Sequence, residues 1–185
     1  MLYKLDNITN LTSARWAAAE GFDAISFNFT KTNSNYIQPM KVVEICQWIS
    51  GLKTVGIFND VDPASILDIY NLLKLDAIEI DLTLADQLIL NQEVPIILRI
   101  ENNKFEKELA FEKFYPFLLA FSSNLNSDIP INFPVEKSFI PSNILPQQLI
   151  KTPYGINFDS ALETEIGVAN FEELDFYKKW RVSMI

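Results

Sequence analysis

Asp6 is the carboxylate of this sequence that is best placed to do chemistry, because it directly follows the short run Leu2 to Leu5, which is predicted to be a buried strand. A charge at the end of such a strand needs a partner or a ligand, since an unpaired carboxylate is costly to remove from water. Its ordinary pKa near ~4 makes an aspartate a weak base unless burial raises that value. We therefore treat Asp6 as a candidate general base.

Other polar residues stand at the ends of further predicted strands. The candidate ligand-binding residues are Asn7, Asn35, Asp81, Arg99, Asp159 and Ser160. Asn28 and Glu101 occupy similar positions. If the strands are parallel, these side chains cluster at one rim, where barrel enzymes bind their substrates. Polar residues are also expected wherever a strand leaves the core, and Arg99 and Glu101 can simply pair with each other.

The rim is rich in carboxylates, which are the ligands that hard cations prefer. They are Asp6, Asp81, Glu101 and Asp159. No loop carries a metal-site signature, so we predict no metal site and no cofactor. The absence of histidine from all 185 residues excludes Ser-His-Asp and Cys-His mechanisms and makes a zinc site implausible. Cys46 is the single cysteine and is predicted to be a buried small hydrophobe.

Strands and helices alternate along the chain. Predicted strands begin near residues 2, 24, 54, 77, 96, 117, 138 and 155. Helices are predicted from Thr9 or Asn10, over Pro39 to Ser50, after Asp62-Pro63, over Lys104 to Lys113, and after Asn170. Leu82 to Leu90 and Pro146 to Ile150 are predicted to be short helices, whereas Ser122 to Lys137 has no helical pattern. The pattern predicts a (β/α)8 barrel or a doubly wound sheet, and a barrel of this length is trimmed around its sixth unit.

Two stretches resemble the phosphoribosylanthranilate isomerase family of tryptophan biosynthesis. Lys4-Leu-Asp-Asn-Ile-Thr-Asn10 is similar to the family's Lys-Ile-Cys-Gly-Ile-Thr-Asn, and the resemblance continues to about residue 82. Pro153-Tyr-Gly-Ile-Asn-Phe-Asp-Ser-Ala161 is similar to Pro-Tyr-Gly-Val-Asp-Val-Ser-Ser-Gly near the family's end, and this second match extends to about residue 181. The resemblance implies the barrel, and it implies an Amadori rearrangement of N-(5-phosphoribosyl)anthranilate as the ancestral activity.

The residues that the resemblance marks as catalytic are changed. The family's base is a Cys where this chain has Asp6, and the following Gly is Asn7. The family's acid is the Asp of Leu-Leu-Asp, which here reads Leu118-Leu119-Ala120. Alanine cannot donate a proton, so one of the two groups that the reaction needs is missing.

The anchors that the resemblance implies for an anionic substrate are also changed. Glycine-rich turns hold the phosphate in the family, but here the turns are Ser142 to Pro146 and Asp159-Ser160-Ala161. The Arg that meets the anthranilate carboxylate is Asn35, and the His after the fourth strand is Asp81. An anionic substrate is therefore poorly matched to this rim.

Three functions are consistent with these residues. The first is a divergent, phosphoribosylanthranilate isomerase-like barrel that lacks isomerase activity and serves as a binding or scaffolding protein. The second is an active isomerase with Asp6 as base. The third is a barrel that binds a neutral or cationic small ligand at an acidic mouth.

Composition bounds the partners. The net charge of −9 disfavours nucleic acid and anionic membranes. No apolar run reaches the ~20 residues of a membrane span, and the N-terminus has no apolar signal core, so we expect a cytoplasmic, single-domain protein of residues 1–185. Aromatic residues crowd the region before the sixth strand, which favours a homodimer or a protein partner there.

Overall fold

The computed structural model describes residues 1–81, 84–85, 94–100, 118–121, 135–142 and 152–159, together with residues 172 and 175. Eight strands in this part of the chain form a closed barrel in sequential order. The strands are β1 (Leu2–Asp6), β2 (Ala24–Asn28), β3 (Lys53–Phe58), β4 (Ala77–Asp81), β5 (Ile96–Ile100), β6 (Leu118–Phe121), β7 (Ser138–Pro141) and β8 (Gly155–Asp159). Their bounds lie within one residue of the predicted ones, and the (β/α)8 barrel is confirmed.

All neighbouring strands are parallel, and the first strand closes the barrel against the last. Five residue pairs join β1 to β8, from Leu2 opposite Gly155 to Asp6 opposite Asp159. Because the strands are parallel, their carboxyl ends all meet at one end of the barrel. We call that end the mouth and the opposite end the floor.

Three helices lie between the first four strands. They are α1 (Leu11–Ala19), α2 (Pro39–Cys46) and α3 (Pro63–Leu73), and a 3-10 turn, Val135–Lys137, precedes β7. Asn10 rather than Thr9 caps α1, since its side-chain oxygen accepts a hydrogen bond from the Ser13 N–H at 2.8 Å. Asp62 caps α3 in the same way at 2.9 Å.

The second helix is four residues shorter than predicted. It ends at Cys46, and Gln47 is the residue that closes it. Gly51 follows with a φ of 83°, a left-handed conformation in which glycine carries no steric penalty, and turns the chain into β3. The predicted helices at 104–113 and 146–150 lie outside the described residues, as do residues 122–134 of the stretch that is predicted to have no helix. The trimming predicted around the sixth unit falls on these undescribed residues and stays a prediction.

The core has two parts, because successive side chains of a strand point to opposite faces. One part lies between strands and helices and includes Leu5, Ile25, Phe27 and Phe58. Cys46, which was predicted to be buried, packs against this part but is only half-buried, and burial raises the pKa of its thiol. The other part lies inside the barrel and is formed by Val55, Ile97, Ala120 and Phe139.

A cavity of about 230 Å³ occupies the floor of the barrel. Its apolar lining consists of Leu2, Ala24, Val55, Ala77, Ile97, Leu118 and Phe139. Phe139 also fills the space beside Gly155, where a Cβ would stand 2.5 Å from the ring, so only glycine fits at the start of β8. Within the described residues, no helix combines the length and apolar character needed to cross a membrane.

Candidate functional site

The polar site lies inside the barrel above the apolar floor. Lys4 and Asp6 are two residues apart on β1, and Glu79 and Asp81 are two apart on β4, so each pair shares the interior face of its strand. Arg99 on β5 lies in register with Asp81. The spacing of the strands therefore brings charged side chains from three strands together.

Four of these side chains form one buried ion network. Lys4 is completely buried, and its Nζ contacts Oδ1 of Asp6 at 2.8 Å and Oε2 of Glu79. Glu79 is 2% exposed, and its Oε1 accepts hydrogen bonds from Nη2 and Nε of Arg99 at 2.8 and 3.0 Å. Glu79 is thus the carboxylate that joins the two cations, and Asp6 lies at the mouth end of the network.

Burial and charge shift the pKa values of the two carboxyls in opposite directions. For Asp6, burial is the largest influence and raises its pKa to about 6, although Lys4 and the hydroxyl of Ser26 oppose it. Burial also acts to raise the pKa of Glu79, but Lys4 and Arg99 together outweigh it and lower that pKa to about 2. Burial acts to lower the pKa of Lys4, yet Asp6 and Glu79 leave it raised. Near pH 6 Asp6 therefore exchanges its proton while the rest of the network stays charged.

Asp6 and Asn7 are held at the mouth by a second group of polar side chains. The hydroxyl of Ser26 donates to Oδ1 of Asp6 at 2.7 Å and accepts from the Asn7 N–H at 3.2 Å. Asn7 has a φ of 60°, a left-handed conformation that asparagine tolerates. Its amide donates to Oδ1 of Asp159 at 2.9 Å and accepts from the Asn28 amide at 3.2 Å.

The network continues on the opposite side through Arg99. Its Nη1 donates to Oδ1 of Asn59 at 3.1 Å, so the guanidinium is fixed by β4 and by the residue after β3. Asn59 is held in turn by its backbone N–H, which donates to the hydroxyl of Thr30 at 2.8 Å. The mouth is therefore preorganised by hydrogen bonds among β1, β2, β3, β4 and β5.

The remaining predicted site residues lie at separate places, and some are not described by the structure. Asp81 ends β4, and its Oδ1 accepts from the Leu84 N–H at 2.9 Å. Asn35 lies on the loop after β2, half-buried, and its backbone N–H donates to Oδ1 of Asn33 at 2.8 Å. Arg99 pairs with Glu79, while Glu101, its predicted partner, and Ser160 lie outside the described residues.

Three interior residues were not among the candidates predicted from the sequence, namely Lys4, Glu79 and Asn157. Lys4 and Glu79 precede predicted rim residues by two positions, and this spacing was the signal that could have identified them. Asn157 stands two residues before Asp159 on β8 and is 7% exposed. Its Oδ1 has no hydrogen-bond partner among the described residues.

The structure describes two positions at which the resemblance implies a changed function, Ala120 on β6 and Ser142 after β7. Ala120 is completely buried inside the barrel and lies in register with Arg99. The backbone N–H of Ser142, at the turn after β7, donates to the backbone carbonyl of Asn157 at 2.9 Å. Among the residues that the structure describes, no group of three or more Cys, Asp or Glu side chains is arranged to hold a metal ion.

The fold and the site define a (β/α)8 barrel whose ionisable groups gather at the carboxyl ends of its strands. No protein-family model matches the chain. A 74-residue stretch of it is 35% identical to N-(5'-phosphoribosyl)anthranilate isomerase of Chlorobium phaeobacteroides (strain BS1), a match that covers 40% of this chain and 34% of the relative. The match thus spans about a third of the relative's length.

The fold similarity extends over the whole chain. Phosphoribosyl anthranilate isomerase from Thermus thermophilus superposes with a TM-score of 0.76 at 20% identity, covering 100% of both chains. Monomers of the dimeric isomerase from Thermotoga maritima superpose with a TM-score of 0.73 at 17% identity, covering 97% of this chain and 98% of theirs. The chain therefore shares the barrel fold of these isomerases, and a stretch of 74 residues is also similar to such an isomerase in sequence.

Proposed function

We propose that this chain is a small-molecule-binding barrel of phosphoribosylanthranilate isomerase ancestry that does not catalyse the family's isomerisation. The observation that carries the proposal is the side chain of Ala120. It lies inside the barrel in an apolar cluster with Val55, Ile97 and Phe139, at the position where the resemblance expects the catalytic acid. A methyl group there cannot protonate the ring oxygen of a sugar.

The turns that would bind phosphate support the same proposal. Asp159 presents a carboxylate at the end of β8, bonded to Asn7, where a phosphate would have to lie. At the turn after β7, the Ser142 N–H already donates a hydrogen bond to the backbone carbonyl of Asn157. Anion sites need unoccupied amides or positive charge, and the described groups of these turns, the Asp159 carboxylate and the Ser142 N–H, supply neither.

The experiment is a turnover assay with N-(5-phosphoribosyl)anthranilate, together with complementation of a strain that lacks the isomerase. We expect no turnover above the uncatalysed rate for the wild type, and none for Asp6→Asn. The matched control is Asp68→Asn, because Asp68 is exposed on α3. Turnover by the wild type would overturn the proposal, and its loss in Asp6→Asn but not in Asp68→Asn would identify Asp6 as the base.

A second candidate function is an isomerase that uses Asp6 as its base. It is favoured by one observation, the burial that raises the Asp6 pKa to about 6. A base with that pKa is ionised at neutral pH and still basic enough to accept a proton. This function predicts that turnover rises with pH through about 6, which the same assay measures.

We also propose that residues 1–185 form one domain and that the chain forms a homodimer. The continuous closed barrel supports the first proposal, and the dimeric Thermotoga maritima isomerase supports the second. Light scattering coupled to size-exclusion chromatography tests the dimer directly, and a monomeric mass would contradict it.

A further inference from the structure

Asn157 has an interior amide whose hydrogen bonding is incomplete. The side chain is 7% exposed, and Oδ1 lacks a partner among the described residues. A buried carbonyl oxygen without a donor is a cost that folded proteins rarely tolerate without a reason. The atom can only accept, so whatever completes the site must donate a hydrogen bond.

The Asn157 side chain faces the interior of the barrel rather than the helices. Its neighbours Ile156 and Phe158 belong to the core between strands and helices, and the Phe158 ring packs against Phe22 at 5.5 Å between centroids. Alternation along β8 therefore turns Asn157 inward, in register with Lys4 on β1. One step closer to the mouth, Asp159 lies in register with Asp6.

The charges around this amide favour a cation. The charged side chains of the ion network and of the strand ends beside it are Lys4, Arg99, Asp6, Glu79, Asp81 and Asp159, which sum to −2. Asp6 and Asp159 stand on adjacent strands, which run about 4.8 Å apart, and like charges in register repel each other. Lys4 already offsets part of the Asp6 charge, and a further positive group between the two carboxylates adds to that compensation.

We infer that the mouth binds a small organic cation whose N–H group donates to Oδ1 of Asn157 and whose charge lies beside Asp6 and Asp159. The inference rests on the proposed function, because it names the ligand class of the same site. An ammonium or guanidinium group satisfies both requirements at once, whereas a neutral polyol supplies only the donor. A phosphorylated ligand would meet carboxylates at close range.

The test uses three sugars of similar size that differ in charge, namely glucosamine, glucose and glucose 6-phosphate. Binding is measured by titration calorimetry and by chemical-shift changes in labelled protein. We expect glucosamine to bind about tenfold or more tightly than glucose, and glucose 6-phosphate to bind least. Tighter binding of glucose 6-phosphate, or no glucosamine binding at tens of millimolar, would overturn the inference.

Variants assign the effect to Asn157. Asn157→Leu removes the acceptor at similar volume and is expected to weaken glucosamine binding about tenfold, as for hydrogen bonds to charged groups. Asn157→Asp is expected to strengthen it. The control is Asn71→Leu, because Asn71 is exposed on α3. Equal affinity in Asn157→Leu and the wild type would refute the assigned contact.

The two proposals fail separately. Turnover of phosphoribosylanthranilate would refute the proposed function, whatever glucosamine does. Absence of both turnover and glucosamine binding would refute the ligand class alone. Saturable binding of Mg²⁺ that Asn157→Leu abolishes would replace the organic cation with a metal, and would also overturn the inference.

Discussion

The two ends of the barrel interior differ in the side chains that line them, which are charged towards the mouth and mostly apolar at the floor. At the mouth, Lys4, Asp6, Glu79 and Arg99 are held by short, directional contacts with little freedom to shift. At the floor, small apolar residues such as Ala24 and Ala77 leave a cavity of about 230 Å³. Directional contacts fix positions, whereas an underfilled apolar layer tolerates changes of volume. The difference shows that the chain specifies geometry at the end where barrels bind ligands.

The largest test of this contrast removes the carboxylate that joins the two cations. Glu79→Leu leaves Lys4 and Arg99 inside the barrel without their shared partner. Breaking a buried ion pair on one side typically costs about 3–5 kcal/mol. We expect a loss of this size in the free energy of unfolding, measured by urea denaturation. Glu44→Leu on the exposed face of α2 is the control, and equal losses in the two variants would show that the network adds nothing to stability.

The next test follows the proton of Asp6. Burial raises its pKa in the folded protein to about 6, above the value near 4 in an unfolded chain. The folded state therefore binds this proton more tightly, and the contribution of Asp6 to stability falls as pH rises from about 4 to about 6. The expected span is about 3 kcal/mol, because each pKa unit is worth about 1.4 kcal/mol.

The groups that face Asp6 are Lys4, Glu79 and Ser26, with Asp159 in register beside it. Unfolding free energies of the wild type and Asp6→Asn, measured between pH 4 and 7, isolate its contribution. The difference between the two proteins should change through this window and level off above it. A constant difference would mean that Asp6 titrates at its ordinary pKa.

A smaller test uses two residues on the same face of β2. Ser26, at the mouth end, donates to Asp6 and accepts from the Asn7 N–H, and it is completely buried. Ser26→Ala removes both hydrogen bonds with little change of volume. We expect a loss of about 1–3 kcal/mol in unfolding free energy, because the buried groups lose their partners. A neutral result would show that the mouth tolerates change as well as the floor does.

The smallest effect is expected two residues earlier, with the opposite sign. Ala24 lines the floor cavity, so Ala24→Val places two methyl groups in empty space. We expect a gain of about 1 kcal/mol, since each buried carbon group contributes about 0.8 kcal/mol. The measurement is the same urea denaturation. Destabilisation would indicate that the cavity is too constrained to accept a larger side chain.

The sequence predicted the strands far better than the site. Strand bounds such as Lys53–Phe58 follow from local apolar runs and turn residues, which act over a few positions. Asp6 was predicted for the same reason, since it ends such a run. The contact between Lys4 and Glu79 joins residues 75 positions apart, and only the closed barrel brings them together. The raised pKa of Asp6 depends on that burial, so the local sequence could not supply it.

The bond between Asn7 and Asp159 spans 152 positions and lies across the seam where the first strand meets the last. Loop-closure entropy makes so distant a contact one of the slowest to form. The mouth is therefore completed only when β8 docks, and a nascent chain that ends before it carries Asp6 and Asn7 without their final neighbours. A fully assembled site therefore indicates that the barrel has closed.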